Sequence, residues 1–161
     1  MNLTKDFNSN LINEISIEPK NAVAALLTMG KGKYIMQLRD SKPNIFYPDH
    51  WGCFGGAVEI GESPEEAIKR EVFEEVEFKI NELKEFTQFD FNFAPIGYGK
   101  VSRIYYCIDV NQNDFENFKL HEGAGLNIFN GDYIINHLKV TPYDSFAIWM
   151  HIKSNFNKFI D

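Results

Sequence analysis

Residues 55–78 read GGAVEIGESPEEAIKREVFEEVEF, and the fold follows from them. Ser63 is an N-cap residue, Pro64 suits the first helical position and Glu66 completes a capping box, so the spacing predicts a helix over Ser63–Phe78. Ala67, Ile68, Val72 and Val76 recur every three or four residues and give that helix one face to bury. Glu71, Glu74 and Glu75 stand at i, i+3 and i+4, which predicts that their carboxylates converge along one edge. At an effective dielectric of about 20, two such charges ~4 Å apart repel by roughly 4 kcal/mol, so something positive belongs there. Arg70 and Lys69 relieve part of this. The rest is a set of hard oxygen donors with neither Cys nor His in place, which suits Mg²⁺ or Mn²⁺ rather than zinc. A merely solvated acidic face is the plain alternative for a Glu-rich helix taken alone. The residues ahead of it shift the balance: Gly55 and Gly56 permit close backbone approach to a ligand, and Glu59 and Glu62 lie near the mouth.

Taken together, Gly56, Glu62, Arg70, Glu71, Val72, Glu74, Glu75 and Phe78 fit G-x5-E-x7-R-E-U-x-E-E-x-G-U, where U is bulky and apolar. This resembles the Nudix box, the signature of Nudix hydrolases. One position departs: Glu77 stands where the family has its second Gly, a residue that lets the helix end in a left-handed turn. Phe54 also replaces a Pro found in many relatives, for which only a changed turn is expected. The resemblance implies an α/β fold, a Nudix-type α/β/α sandwich with a mixed sheet between helices. It implies that the Gly55 carbonyl, Glu71 and Glu75, with Glu74 assisting, hold divalent metal (Mg²⁺, or Mn²⁺ in its place). Arg70 would orient Glu71, and Gly56, Glu59 and Glu62 would support the loop. In many relatives a glutamate outside the box, ahead of the last short strand, is the base or another metal ligand. Leu120-His121-Glu122-Gly123 looks similar, with Glu122 the first choice of base and His121 the second. The implied reaction is hydrolysis of a diphosphate linkage in a nucleoside diphosphate derivative: a nucleoside triphosphate, a nucleotide sugar or ADP-ribose. The alternative is a non-catalytic Nudix-like nucleotide-binding module, and the four surviving acidic positions favour catalysis. Isopentenyl diphosphate isomerisation is disfavoured because the expected Cys and extra His ligands are not evident.

Outward from the box, segments 21–29 and 33–39 are apolar runs of strand length around Gly-Lys-Gly, a hairpin. Residues 40–52 carry two Pro and no periodicity and form a loop whose Phe46, Tyr47, His50 and Trp51 either face a ligand or pack onto the core. Tyr47 and Trp51 are taken as substrate contacts. Arg39, at a strand's exit, is taken as a phosphate contact, with an internal ion pair as the alternative; the same alternatives hold for Arg103. Residues 85–94 and 100–110 read as a long hairpin, 126–129 as a short strand, and Pro142–Phe159 as a C-terminal helix capped by Thr141. Strands, a helix, more strands and a helix suggest a mixed sheet covered on both faces.

The 161 residues suffice for one domain, 1–161, with a sizeable core. With 44% hydrophobic and 24% charged residues the composition is globular, and a net charge of −7 makes a nucleic-acid partner unlikely. No apolar run approaches the ~20 residues of a membrane span, and Met1–Lys20 lacks the pattern of a signal peptide, so the expected location is cytoplasmic and no membrane partner is expected. Cys53 and Cys107 read as small hydrophobes, and His137 and His151 as surface or core histidines without chemistry. Fifteen Phe, seven Tyr and two Trp fit base stacking and a homodimer interface equally well.

Overall fold

The computed structural model describes residues 18–30 and 32–156. Lys31 of the predicted hairpin turn, most of the 1–20 stretch and the end of the predicted C-terminal helix lie outside the described residues. The strands are β1 (Ala22–Thr28), β2 (Lys33–Leu38), β3 (Trp51–Gly52), β4 (Lys84–Asn92), β5 (Lys100–Asp109) and β6 (Gly125–Asn130). The helices are α1 (Pro64–Val76), α2 (Gln112–Glu116), α3 (Gly131–His137) and α4 (Pro142–Phe156). The sheet is mixed: β5 runs parallel to β1, while β4 and β6 pair antiparallel with β5 and β2.

The sheet splits where the site forms. β1 and β2 pair only at Leu27↔Ile35 and Thr28↔Tyr34, then part. Residues 51–57 fill the gap. β3 pairs with Gln37 and Leu38 of β2, while the Phe54 and Gly56 carbonyls accept the Ala25 and Val23 amides of β1 at 2.8 and 2.9 Å. Phe54, fully buried, anchors this inserted segment.

β1 is buried on both faces, which explains its unbroken apolar run. Val23, Ala25 and Leu27 pack with Ala67, Ile68, Val72 and Val76 of α1, the four residues whose spacing predicts its buried face. Ala24 and Leu26 pack on the other side with Ile134 of α3 and Ala147 and Ile148 of α4. Full burial of a Leu contributes about 1.5–3 kcal/mol, so Leu26 and Leu27, adjacent in sequence, fasten both helical layers to one strand. The expected α/β/α sandwich is therefore present.

At the start of α1 the capping box forms as read: Ser63 Oγ accepts the Glu66 amide and Glu66 Oε2 accepts the Ser63 amide. Its end corrects the sequence reading. The helix stops at Val76 rather than Phe78, because Glu77 takes the left-handed conformation (φ 57°, ψ 21°) of the Gly it replaces. Two helices and β3 went unread, since α2 has five residues, α3 seven and β3 two, too short for periodicity to register.

Candidate active site

An open cleft of about 610 Å³ lies at the split in the sheet. One wall is acidic. Gly55, Gly56, Glu71 and Glu75 line it, and Glu122 stands at its edge. Glu75 belongs to the buried stripe of α1 and is only 5% exposed. One of its oxygens, Oε2, accepts the Gly55 amide at 2.9 Å, the Gln37 side chain adds a hydrogen bond, and among the described residues no cationic side chain reaches the carboxylate. Burial pushes its pKa up to about 8 against the pull of the Gly55 hydrogen bond, and the charges of Glu122 and Glu71 add to the rise. The Glu71 carboxyl is also raised, by burial first, although Arg70 Nη1 donates to its Oε1 at 2.8 Å.

The backbone requires Gly55, while Gly56 leaves room for the Glu71 carboxyl where it stands. A Cβ on Gly56 would stand 2.5 Å from the Glu71 carboxyl, and one on Gly55 (φ 131°) would stand 2.3 Å from the Val23 carbonyl. The inserted segment uses the carbonyls of Phe54 and Gly56, on either side, to pair with β1, so the Gly55 carbonyl takes no part in that pairing.

Arg70 is the hub beneath this wall. Its Nε and Nη2 grip Glu62 at 2.8 and 2.9 Å, Nη1 reaches Glu71 and Glu74, and Nη2 also holds the Ala57 carbonyl. Glu74 corrects the expectation of three convergent carboxylates. On a helix of 100° per residue Glu75 lies 40° to one side of Glu71 and Glu74 about 60° to the other, so Glu74 is turned outward, its side chain 59% exposed. Glu59 is exposed and meets the hub through its backbone: its amide donates to Glu62 Oε2 and its carbonyl accepts the Glu62 amide, each at 3.1 Å.

The other wall is basic and aromatic, with Arg39, Arg103, Phe46 and Tyr143. Arg39 Nε donates to the Phe46 carbonyl and shapes the loop. The Arg103 guanidinium lies 4.7 Å over the Tyr143 ring, donates from Nε to Tyr105 Oη, and pairs through Nη2 with Asp144 at 3.3 Å. Asp144, 1% exposed, also accepts from Tyr105, Thr141 and the Cys53 amide. Arg103 thus makes the internal ion pair and also lines the cleft.

Two proposed substrate contacts are displaced. Trp51 does not line the cleft; held in β3, it sets its ring edge-on to Phe129 in the second core. Tyr47 does not line it either, its ring meeting His50 and Tyr143 edge-on. His121 points away, with Nε2 donating to Glu77 Oε1 at 2.7 Å. His151 Nδ1 bonds Tyr34 Oη, whereas His137 is a surface residue beside Tyr133. Cys53 is buried and Cys107 half-buried, and among the described residues neither forms a disulfide. Tyr143, Asp144 and Gln37 were missed. The signal for the first two was Thr-Pro-Tyr-Asp at 141–144, read only as a helix start.

Among the described residues no three acidic, His or Cys side chains form a ready-made ligand cluster. The donor chemistry nevertheless fits a hard divalent cation: oxygen only, two carboxylates desolvated without a cationic partner for Glu75, and a spare carbonyl at Gly55. Among the described residues no helix is long and apolar enough to cross a membrane.

The model of the NUDIX domain matches residues 18–128, and the chain belongs to this family. Solved structures agree in fold. A MutT protein from Methanosarcina mazei superposes with a TM-score of 0.70 at 22% identity, over 86% of this chain and 96% of that one. The dihydroneopterin triphosphate pyrophosphohydrolase of E. coli gives 0.68 at 17% identity, over 85% and 97%. An Ap4A hydrolase of C. elegans gives 0.64 at 19% identity, over 87% and 98%.

Proposed function

We propose that the chain is a pyrophosphohydrolase that cleaves a phosphoanhydride bond in a small nucleoside diphosphate derivative with Mg²⁺ or Mn²⁺, working in the cytoplasm as one domain. The observation that carries this is Glu75, a buried carboxylate without a cation, facing Glu71 and Glu122 across from two arginines. Glu71, Glu75 and the Gly55 carbonyl would hold the metal, and Arg70 and Glu62 fix Glu71. Glu74 assists from outside the cleft by sharing Arg70. When bound, the cation neutralises pyrophosphate oxygens and lowers the proton affinity of the attacking water.

The arginines do complementary work. Arg39 and Arg103 offset the charge of the phosphates, and the Tyr143 ring beside Arg103 gives a flat surface for a base or sugar. Glu122, exposed at the rim, takes the proton of the water as its oxygen bonds to phosphorus, and the bridging P–O bond breaks with its electron pair leaving on the departing phosphate. The names of two neighbours, a dihydroneopterin triphosphate pyrophosphohydrolase and an Ap4A hydrolase, are in keeping with a phosphoanhydride substrate. The test is a panel of nucleoside triphosphates, nucleotide sugars and ADP-ribose incubated with protein and Mg²⁺, with released nucleotide and phosphate quantified. Turnover that stops in EDTA supports the reading. Chelator-resistant turnover contradicts it, and binding without turnover across the panel favours a nucleotide-binding module.

A further inference from the structure

Glu77 is the residue that breaks the box pattern, and its conformation makes the break informative. A non-Gly residue with positive φ is uncommon because its Cβ crowds the backbone, and Gly would end the helix there without that strain. Glu77 takes it at φ 57°. Its carboxylate then accepts from two side chains of one remote segment, Lys119 Nζ through Oε2 and His121 Nε2 through Oε1, each at 2.7 Å. The same segment is fastened to the same helix end by its backbone: the Lys119 amide donates to the Val76 carbonyl at 3.1 Å and the His121 amide to the Glu75 carbonyl at 2.8 Å. Leu120, between them, packs into the core beside α1. The next residue is Glu122, whose carbonyl accepts from Gln37 Nε2 of β2 at 2.9 Å. Glu122 is therefore slung between a clamp on β2 and a clamp on the end of α1, and the second clamp is built on the helical turn that supplies Glu75.

We infer that Glu77 is a positioning residue: by clamping Lys119 and His121 to the end of α1 it sets where Glu122 stands relative to Glu75 on the acidic wall of the cleft. The inference rests on the reading of Glu122 as the group that acts on the attacking water. An isolated exposed ion pair is worth little to stability, and the clamp is exposed. Its effect is geometric, since a small misplacement of a reacting group costs rate far beyond what the contact itself is worth in stability. The arrangement also predicts an unusual dissociation of effects. Replacing Glu77 by Gly removes backbone strain and the clamp together, so the protein should melt no earlier while it turns over more slowly.

The experiment compares Glu77→Gly, Glu77→Gln, Lys119→Glu and the exchanged pair Glu77→Lys/Lys119→Glu with the unmodified chain. Its readouts are amide hydrogen exchange over residues 119–122, melting temperature, and kcat and KM on GTP, UDP-glucose and ADP-ribose with Mg²⁺. The expected result for Glu77→Gly is exchange at His121 faster by about tenfold, kcat lower by roughly three- to tenfold, KM within twofold and Tm unchanged or higher. Glu77→Gln and Lys119→Glu should follow in the same direction, and the exchanged pair should recover at least half the loss of both. Exchange and kcat within twofold of the parent in Glu77→Gly, or a kcat loss matched by a lower Tm, would overturn the inference. Glu122→Gln run alongside separates the two readings. If it turns over normally, the role of Glu122 fails while the exchange data still decide the clamp; if it alone is slow, the clamp fails and the role of Glu122 stands.

Discussion

Two carboxylates of the cleft are almost equally buried, and the fold treats them oppositely. Asp144, behind the basic wall, has Arg103, Tyr105, Thr141 and the Cys53 amide around it, so its charge is answered from within the protein. Glu75, on the acidic wall, has the Gly55 amide, the Gln37 side chain and two other carboxylates for company, and among the described residues no cationic side chain answers its charge. A buried charge that is fully paired belongs to the architecture; one left unpaired on the surface of a cleft marks where an external cation is required. That contrast separates the wall that shapes the substrate from the wall that calls for metal.

The largest effect expected lies within the acidic wall. Glu122→Gln should lower turnover by roughly 10²–10⁴-fold while Mg²⁺ affinity stays nearly intact, whereas Glu75→Gln should damage both. Steady-state kinetics together with metal titration check this, and normal turnover in Glu122→Gln would move the base elsewhere.

Stability breaks the comparison more directly. Asp144→Ala strands Arg103 and should destabilise the protein by about 3–5 kcal/mol in urea unfolding, the usual result of removing one partner of a buried pair. Glu75→Gln should do the reverse in metal-free buffer at pH 8, raising Tm by about 2–4 °C, what ~1 kcal/mol is worth in a chain of this size. Equal destabilisation by both substitutions would erase the distinction between the walls.

The same asymmetry predicts how pH and metal act. The Glu75 pKa is raised in the folded state to about 8 from 4.5, so the folded protein holds a proton there that the unfolded chain has released. The associated stability is complete below about pH 4.5 and is lost as pH rises through about 8, so metal-free Tm should fall between pH 5 and 8. Mg²⁺ at a hundredfold excess over its Kd should add about 2.7 kcal/mol and flatten that fall. Glu75→Gln should shrink both effects, and a Tm profile unchanged by Mg²⁺ would count against the site.

The smallest expected effect is at Glu59. Its side chain lies outside the Arg70 hub, so Glu59→Gln should leave kcat and Tm unchanged within error, whereas Glu62→Gln should lower kcat several-fold by loosening Arg70.

How much of this was legible in the sequence follows the range of the interactions. Ser63, Pro64 and Glu66 act within one turn, and Ala67 to Val76 within one helix, so the start and buried face of α1 could be read directly. Glu74 was misplaced because spacing fixes only that two residues are neighbours on a helix, and the side of Glu71 that meets the cleft is set by packing against β1. The basic wall was hardest to see. Arg103 reaches the cleft because β5 lies parallel to β1 with Arg103 opposite Ala22, a pairing across 81 residues with no local signature. Trp51 read as a loop aromatic because a two-residue strand has no period, and the divergence of β1 from β2 that makes room for it is a property of the whole sheet. Glu77 looked like damage to a pattern, and only the folded chain brings Lys119 and His121 to its carboxylate.

The claim that the unanswered carboxylates of the acidic wall hold a divalent cation is tested most directly by Mn²⁺ binding followed by electron paramagnetic resonance, in the unmodified chain and in Glu71→Gln/Glu75→Gln. The account predicts saturable binding of at least one Mn²⁺ per chain, competed by Mg²⁺ and abolished in the double variant while that variant remains folded. Binding of equal strength in both proteins, or none in the unmodified chain at millimolar Mn²⁺, would contradict it.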